Sequence, residues 1–163
     1  MVRTTRTRRQ LDLLDRLVAL MAAEGFAAFT LAELALRMRC SKTTLYALAD
    51  SKQDLVVEVV KQYFRTAVDA VEGRVAAETD PAARVSAYLS AVADQLRPLS
   101  RVLMDDLTGF APAAAVYRSN TAAAADRIRA LVADGIAAGA FRPVHAAFAG
   151  EMAAATMFET QRG

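Results

Sequence analysis

Residues 30–55 read TLAELALRMRCSKTTLYALADSKQDL. Three polar residues, Thr30, Ser41 and Ser51, divide this stretch, and each precedes a run suited to a helix. Thr30 stands three residues before Glu33, the spacing of a capping box. There the Thr hydroxyl accepts from the Glu33 amide while the Glu side chain reaches back to the amide of Thr30. The helix so opened has Leu31, Leu34, Ala35 and Met38 on its inner face. Ser41 caps a helix of barely two turns, residues 42–49. Ser51, three residues before Asp54, starts a long helix through Leu55, Val59, Phe64, Val68 and Val71. Short helices so closely spaced predict a compact cluster rather than a long bundle.

The cluster extends outward in both directions. Before it, Leu11, Leu14, Leu17, Val18 and Met21 recur at helical spacing over residues 8–24, and Gly25 ends that helix. After it, Asp80-Pro81 is a cap followed by proline at the first helical position, opening a helix over residues 81–97. Pro98 interrupts, and a short apolar helix around residues 99–107 leads to Gly109-Phe110-Ala111-Pro112. A long helix over residues 113–138 closes at Gly139, and Pro143 opens a last one. No strand-like alternation or repeat appears. The predicted fold is all-α, with a compact cluster of short helices in residues 1–52 and a long helix opening residues 53–163.

Composition fits a globular chain. The 163 residues are 55% hydrophobic and 23% charged with a net charge of only +2, which argues against disorder. The single Cys40 excludes a disulfide framework and suits a reducing compartment. No run of eighteen apolar residues suggests a membrane span, and the N-terminus lacks the apolar core of a secretory signal. The expected location is the cytoplasm. The charge is uneven, with a balance of +4 over residues 1–52 and −2 over residues 53–163, so a polyanion would meet the first part.

The order Thr30, Leu34-Ala35, Ser41, Thr44-Leu45-Tyr46, Ser51-Lys52 and Asp54-Leu55 resembles the DNA-binding region of the TetR (tetracycline repressor) family of bacterial transcriptional regulators. Gly25-Phe26 falls where that family places a Gly-aromatic pair, and residues 135–143, GIAAGAFRP, resemble a later segment common in it. The resemblance implies an N-terminal three-helix helix-turn-helix DNA-binding domain, residues 1–52, joined by a long helix to a helical-bundle ligand-binding and dimerisation domain, residues 53–163. It implies a homodimeric repressor on a roughly palindromic double-stranded DNA operator, released by a small, partly hydrophobic effector. It implies no cofactor and no membrane partner.

By that resemblance Thr30, Ser41, Tyr46 and Lys52 grip phosphates while Lys42, Thr43 and Thr44 lie nearest the bases. Physics agrees: the amino end of a helix offers free amides and partial positive charge, and the major groove admits one helix. The arm residues Arg3, Arg6, Arg8 and Arg9 would track a phosphate or enter the minor groove. Taken singly, the three caps would serve any helical protein, each contributing about 1 kcal/mol. Leu34, Leu45 and Leu55 read as core.

Three departures from the family pattern stand out. Arg39 occupies the turn where glycine is usual, so either the turn differs or Arg39 adds a phosphate contact. Leu48-Ala49 replaces an aromatic or His followed by Phe, which removes one phosphate contact and one buried ring. The chain has one helix after Pro143, with Val144, Phe148, Met152 and Ala155 on one face, where the family dimerises through two. It is therefore either a short member with a modified interface or a truncated one.

In the second part, Phe64, Tyr88, Gln95, Met104, Phe110, Tyr117 and Asn120 are the expected effector lining, since such pockets are mostly apolar with a few polar groups. An enzyme finds little support. His145 is the only histidine, Asp105-Asp106 are helix neighbours that do not face each other, and Cys40 beside Lys42 reads as a buried thiol rather than a nucleophile. The remaining alternative is a ligand-binding or interaction bundle whose DNA binding has weakened.

Overall fold

The computed structural model describes residues 6–142. Among them are seven helices and no strand: α1 (Arg8–Glu24), α2 (Leu31–Met38), α3 (Lys42–Tyr46), α4 (Lys52–Ala76), α5 (Pro81–Leu96), α6 (Arg101–Gly109) and α7 (Ala111–Ala137). The helix expected after Pro143, with Val144, Phe148, Met152 and Ala155, lies outside the described residues. No described helix is long and apolar enough to cross a membrane.

The helix starts follow from local chemistry. Thr7, Thr30, Ser41 and Ser100 each accept from the backbone N–H three residues on, and Asp80 does the same for Ala83 with Pro81 as the first helical residue. Thr7 with Gln10 and Thr30 with Glu33 close reciprocal capping boxes. Ser51 accepts from the Asp54 amide at 3.0 Å and donates to its carboxylate at 2.7 Å. Ser100 sets the start of α6, two residues later than the apolar pattern alone suggests. Pro112 does not delay α7, because it stands in the first turn, where a missing N–H leaves no bond unmade.

Two corrections concern packing. The third helix is regular only to Tyr46. Beyond it, the Leu48 and Ala49 amides both donate to the Leu45 carbonyl, so the chain tightens into a turn through residues 47–49. In α4, Val68 is 48% exposed rather than inward. The buried series 56, 60, 64 advances in fours, then takes one step of three to Ala67 before Val71 and Val75. A helix has 3.6 residues per turn, so a stripe stepped only in fours drifts off its face, and the single three-residue step leaves Val68 outside.

The described chain forms two compact units. The first consists of the chain up to Arg65 with Pro98–Tyr117. Its core joins Leu14, Leu17 and Met21 of α1, Leu34 and Ala35 of α2, Leu45 of α3, Leu55, Val56 and Val59 of α4, and Leu103 and Leu107 of α6. Each fully buried leucine contributes about 1.5–3 kcal/mol, so the short α2 and α3 are held by tertiary burial more than by helix propensity.

The second unit consists of Thr66–Arg97 and the chain from Arg118. Val71, Val75, Tyr88, Ala91, Ile128, Leu131 and Val132 form its core. Arg127 grips Glu72 with two 2.7 Å hydrogen bonds, holding the Glu72 carboxyl below its usual range. At the end of α7, Gly139 takes φ 73° while the Gly139 and Ala140 amides donate to Ile136 and Gly135. This is the closure that a left-handed glycine permits.

Candidate nucleic-acid interface

The first unit builds its presenting surface from α2, the turn at residues 39–41 and α3. Arg39 adopts the left-handed conformation, φ 52° and ψ 47°. Its amide donates to Leu36 at 3.1 Å and the Cys40 amide to Ala35 at 3.0 Å, the same paired closure that Gly139 makes. Arg39 therefore keeps the turn that glycine would supply, and its side chain is exposed. Burial raises the Cys40 thiol, with Arg16 opposing more weakly, so a thiolate is disfavoured there.

After the turn, the Ser41 hydroxyl accepts from the Thr44 amide at 3.1 Å and lies 2.8 Å from the Thr44 hydroxyl. Leu45 is buried beneath α3, whereas Lys42, Thr43, Thr44 and Tyr46 are exposed, Tyr46 by half. Leu48 turns into the core at 8% exposure, and Ala49 packs beside it. Leu48 thus takes over part of the apolar filling while leaving no side chain at the surface. Thr30 lies at the other end of α2 with its hydroxyl donating to Glu33. The Thr30 backbone and hydroxyl, with a smaller pull from Lys52, hold the Glu33 carboxyl below its usual range.

Helix α1 fastens the C-terminal ends of α2 and α3. Gln10 donates to the Ala47 carbonyl just past α3 at 3.3 Å, and Arg16 donates to the Met38 carbonyl at the end of α2 at 2.7 Å. The second bond satisfies a carbonyl that the helix end leaves open. Neither residue was identified from the sequence. Arg37 adds an ion pair to Glu24 and lies over the Phe29 ring at 5.5 Å.

The turn after α1 is fixed from α6 and α4. One Asp106 oxygen accepts from the Phe26 amide at 2.5 Å and the Ala27 amide at 2.8 Å. Lys52 donates to the Ala27 carbonyl at 3.0 Å. Gly25, φ 74°, makes the close approach possible, since a Cβ there would stand 2.5 Å from that oxygen. Arg6 pairs with Glu58 at 2.6 Å, and both ends are largely covered. Arg3 lies outside the described residues. The structure thus brings Thr30, Ser41, Lys42, Thr43, Thr44, Tyr46 and Lys52 into one unit, six of them exposed and Lys52 partly so.

The expected effector residues divide between the two units. In the first, the Phe64 and Tyr117 rings lie 6.0 Å apart, Phe110 meets Phe26 edge-on, and Met104 packs on the core. Phe64 also lines an apolar cavity of about 20 Å³, room for one water and no more. In the second, Tyr88 is core and donates to the Ala124 carbonyl at 3.2 Å, while Gln95 and Asn120 are half-buried. Among the described residues no group of three or more His, Cys, Asp or Glu could hold a metal ion. His145 lies outside them.

Two helices crossing at a left-handed turn, the second carrying exposed Lys, Thr and Tyr over a buried Leu, form a helix-turn-helix. Residues 13–59 match the family model described as bacterial regulatory proteins, tetR family. The matched residues take in most of α1, all of α2 and α3, and the start of α4. The fold agrees along the chain. A TetR-family transcriptional regulator from Agrobacterium tumefaciens superposes with a TM-score of 0.74 at 21% identity, over 95% of this chain and 86% of that one. The fatty acid degradation regulator FadR from Bacillus halodurans gives 0.72 at 15% identity, covering 97% and 82%. The ketosteroid transcriptional regulator KstR2 of Mycobacterium tuberculosis gives 0.62 at 18% identity, covering 99% and 86%. No curated protein matches the chain.

Proposed function

We propose that the protein is a cytoplasmic, homodimeric transcriptional repressor that leaves its operator when a small, partly hydrophobic effector binds. The observation that carries this reading is the presentation of Lys42, Thr43, Thr44 and Tyr46 by a helix whose Leu45 is only 1% exposed. Residues 1–52 supply the DNA contacts. Residues 53–163 supply the effector seat and the dimer contacts.

Each protomer places α3 in one of two successive major grooves, about 34 Å apart along the duplex, so the operator is roughly palindromic. Lys42, Thr43 and Thr44 face base edges. Thr30, Ser41, Tyr46 and Lys52 take phosphates, which fix register without reading sequence. Arg3 and Arg6 belong to the arm, and Arg6 reaches a phosphate by exchanging Glu58 for it.

The effector lining comprises Phe64, Tyr88, Gln95, Met104, Phe110, Tyr117 and Asn120. Similar folds include regulators named for fatty acid degradation and for ketosteroids, which supports an effector of hydrophobic character. Release requires only a differential affinity of the effector for two states, typically 1–3 kcal/mol of coupling. No step calls for a catalytic group.

Binding-site selection from a random duplex pool tests the reading, with Tyr46→Ala as the control. Enrichment of an inverted repeat that the variant loses is the expected result. A folded sample that enriches nothing at low salt would overturn it.

A further inference from the structure

A second feature of the first unit is an open cleft of about 360 Å³ beside the 25–27 turn, within the size range of small-molecule sites. Its apolar wall is Phe26, Phe110 and Val56, with the two rings edge-to-face at 6.0 Å. Three charged side chains face it: Lys52, Asp105 and Asp106. Two of these are already engaged by the turn. Asp106 accepts from the Phe26 and Ala27 amides, and Lys52 donates to the Ala27 carbonyl.

Asp105 is different. It is exposed, and its side chain makes no hydrogen bond or ion pair among the described residues. Arg101, one turn earlier on α6, does not pair with it. The unmatched charge in the cleft is thus a carboxylate standing beside aromatic rings.

We infer that this cleft binds a small organic cation with a flat aromatic body. A planar amidinium or guanidinium head can take both oxygens of Asp105 in a charge-assisted pair, while its ring lies on the Phe26–Phe110–Val56 wall. An anion of the same shape meets two carboxylates and a single ammonium that already has a partner. The sign of the lining therefore selects the cation. The site shares only Phe110 with the effector lining proposed above and does not depend on that lining or on DNA binding. Its occupant touches Ala27 and Lys52, the contact that ties the start of α4 to the turn before α2.

Benzamidinium is the test probe, with benzoate and benzamide as isosteric anionic and neutral controls. Each is titrated into the ¹⁵N-labelled full chain without DNA and followed by amide shifts. The expected result is saturable shifts at Ala27, Gln53 and Gly109, with a millimolar Kd suited to a ligand of about nine heavy atoms. Asp105→Asn should weaken benzamidinium at least fivefold, and Phe110→Leu should weaken it independently. Asp105 has no side-chain partner to lose, so unchanged amide positions elsewhere will show that Asp105→Asn keeps the fold. Benzoate binding as tightly as benzamidinium, wild-type affinity in Asp105→Asn, or shifts confined to residues around Phe64 would each overturn the inference. Because no DNA is present, none of these outcomes bears on the operator reading.

Discussion

Removing the Asp106 carboxylate should loosen the turn that precedes the helix-turn-helix. One oxygen of Asp106 accepts two successive backbone N–H groups, from Phe26 and Ala27. Hydrogen bonds to a charged acceptor are worth about 1.5–3 kcal/mol each. Ala27 is exposed and recovers water when its bond is lost, whereas Phe26 is only 5% exposed and its N–H is left without a partner. Taking the lower value for both gives about 3 kcal/mol for Asp106→Ala. Asp106→Asn keeps a neutral acceptor oxygen in the same place and loses only the charge assistance, about 1 kcal/mol.

Because these bonds are local to one of two compact units, hydrogen exchange at the two amides reads them more directly than global denaturation. A loss of 3 kcal/mol speeds exchange through local opening by about 150-fold at Phe26, and the Asn variant by about fivefold. Gly25→Ala supplies the second leg of a double-mutant cycle. Alone it combines a left-handed alanine with a Cβ placed 2.5 Å from the Asp106 oxygen and 2.8 Å from Val102. With Asp106→Ala the first clash disappears, so the double variant should be less destabilised than the two singles added together. Strict additivity, or unchanged Phe26 protection in Asp106→Ala, would refute the bracing role.

Three further outcomes follow from the same contacts. Lys52→Ala should weaken binding to all duplexes alike and reduce the salt slope by about one unit, whereas Thr43→Ala should change base preference; identical salt and sequence profiles for both would show that the DNA face is misassigned. Arg39→Gly should raise stability by about 0.5 kcal/mol, because relief of a left-handed non-glycine residue, about 1–2 kcal/mol, outweighs the added freedom of the unfolded chain, about 1 kcal/mol. Lower hydrogen-exchange protection at the Cys40 amide would contradict that balance. Burial, reinforced by Tyr117, pushes the Tyr63 hydroxyl up to about 12. The folded chain holds that proton more tightly than the unfolded one, so the contribution is intact below about pH 10 and is lost as pH rises towards 12. Tyr63→Phe should remove the latest component of the alkaline absorbance titration, and an unchanged curve above pH 11 would count against the assignment.

Much of the fold was legible because the signals are local. Thr30 and Glu33, Ser41 and Thr44, Ser51 and Asp54, and Asp80 with Pro81 each settle a helix start within one turn of chain. The span of α1 followed from its apolar spacing and Gly25. The misreadings arose where local pattern competes with packing. Val68 looked inward because a four-residue step continues the stripe through Val59 and Phe64, yet the true pitch required the step to Ala67. The third helix looked two turns long because residues 47–49 have good helix propensity. Leu48 instead turns into the core, drawing the chain into a tighter coil over the Leu45 carbonyl.

The candidate interface was legible on one side only. Residues that face outward from α3 follow from its cap and from buried Leu45, since a single turn fixes which side chains remain outside. The residues that hold α2 and α3 in place do not follow in that way. Gln10 and Arg16 act on the Ala47 and Met38 carbonyls, and Asp106 acts on the Phe26 and Ala27 amides 79 or 80 residues away. Backbone groups carry no residue identity, so a side chain aimed at one leaves no matching partner in the sequence. Arg39 shows the converse. Its left-handed turn is invisible to composition but is imposed by the two bonds that close α2, the same bonds that Gly139 makes at the end of α7. The closure of α2, not the preference of the residue at the turn, decides the conformation there, and the Arg39 side chain is left exposed.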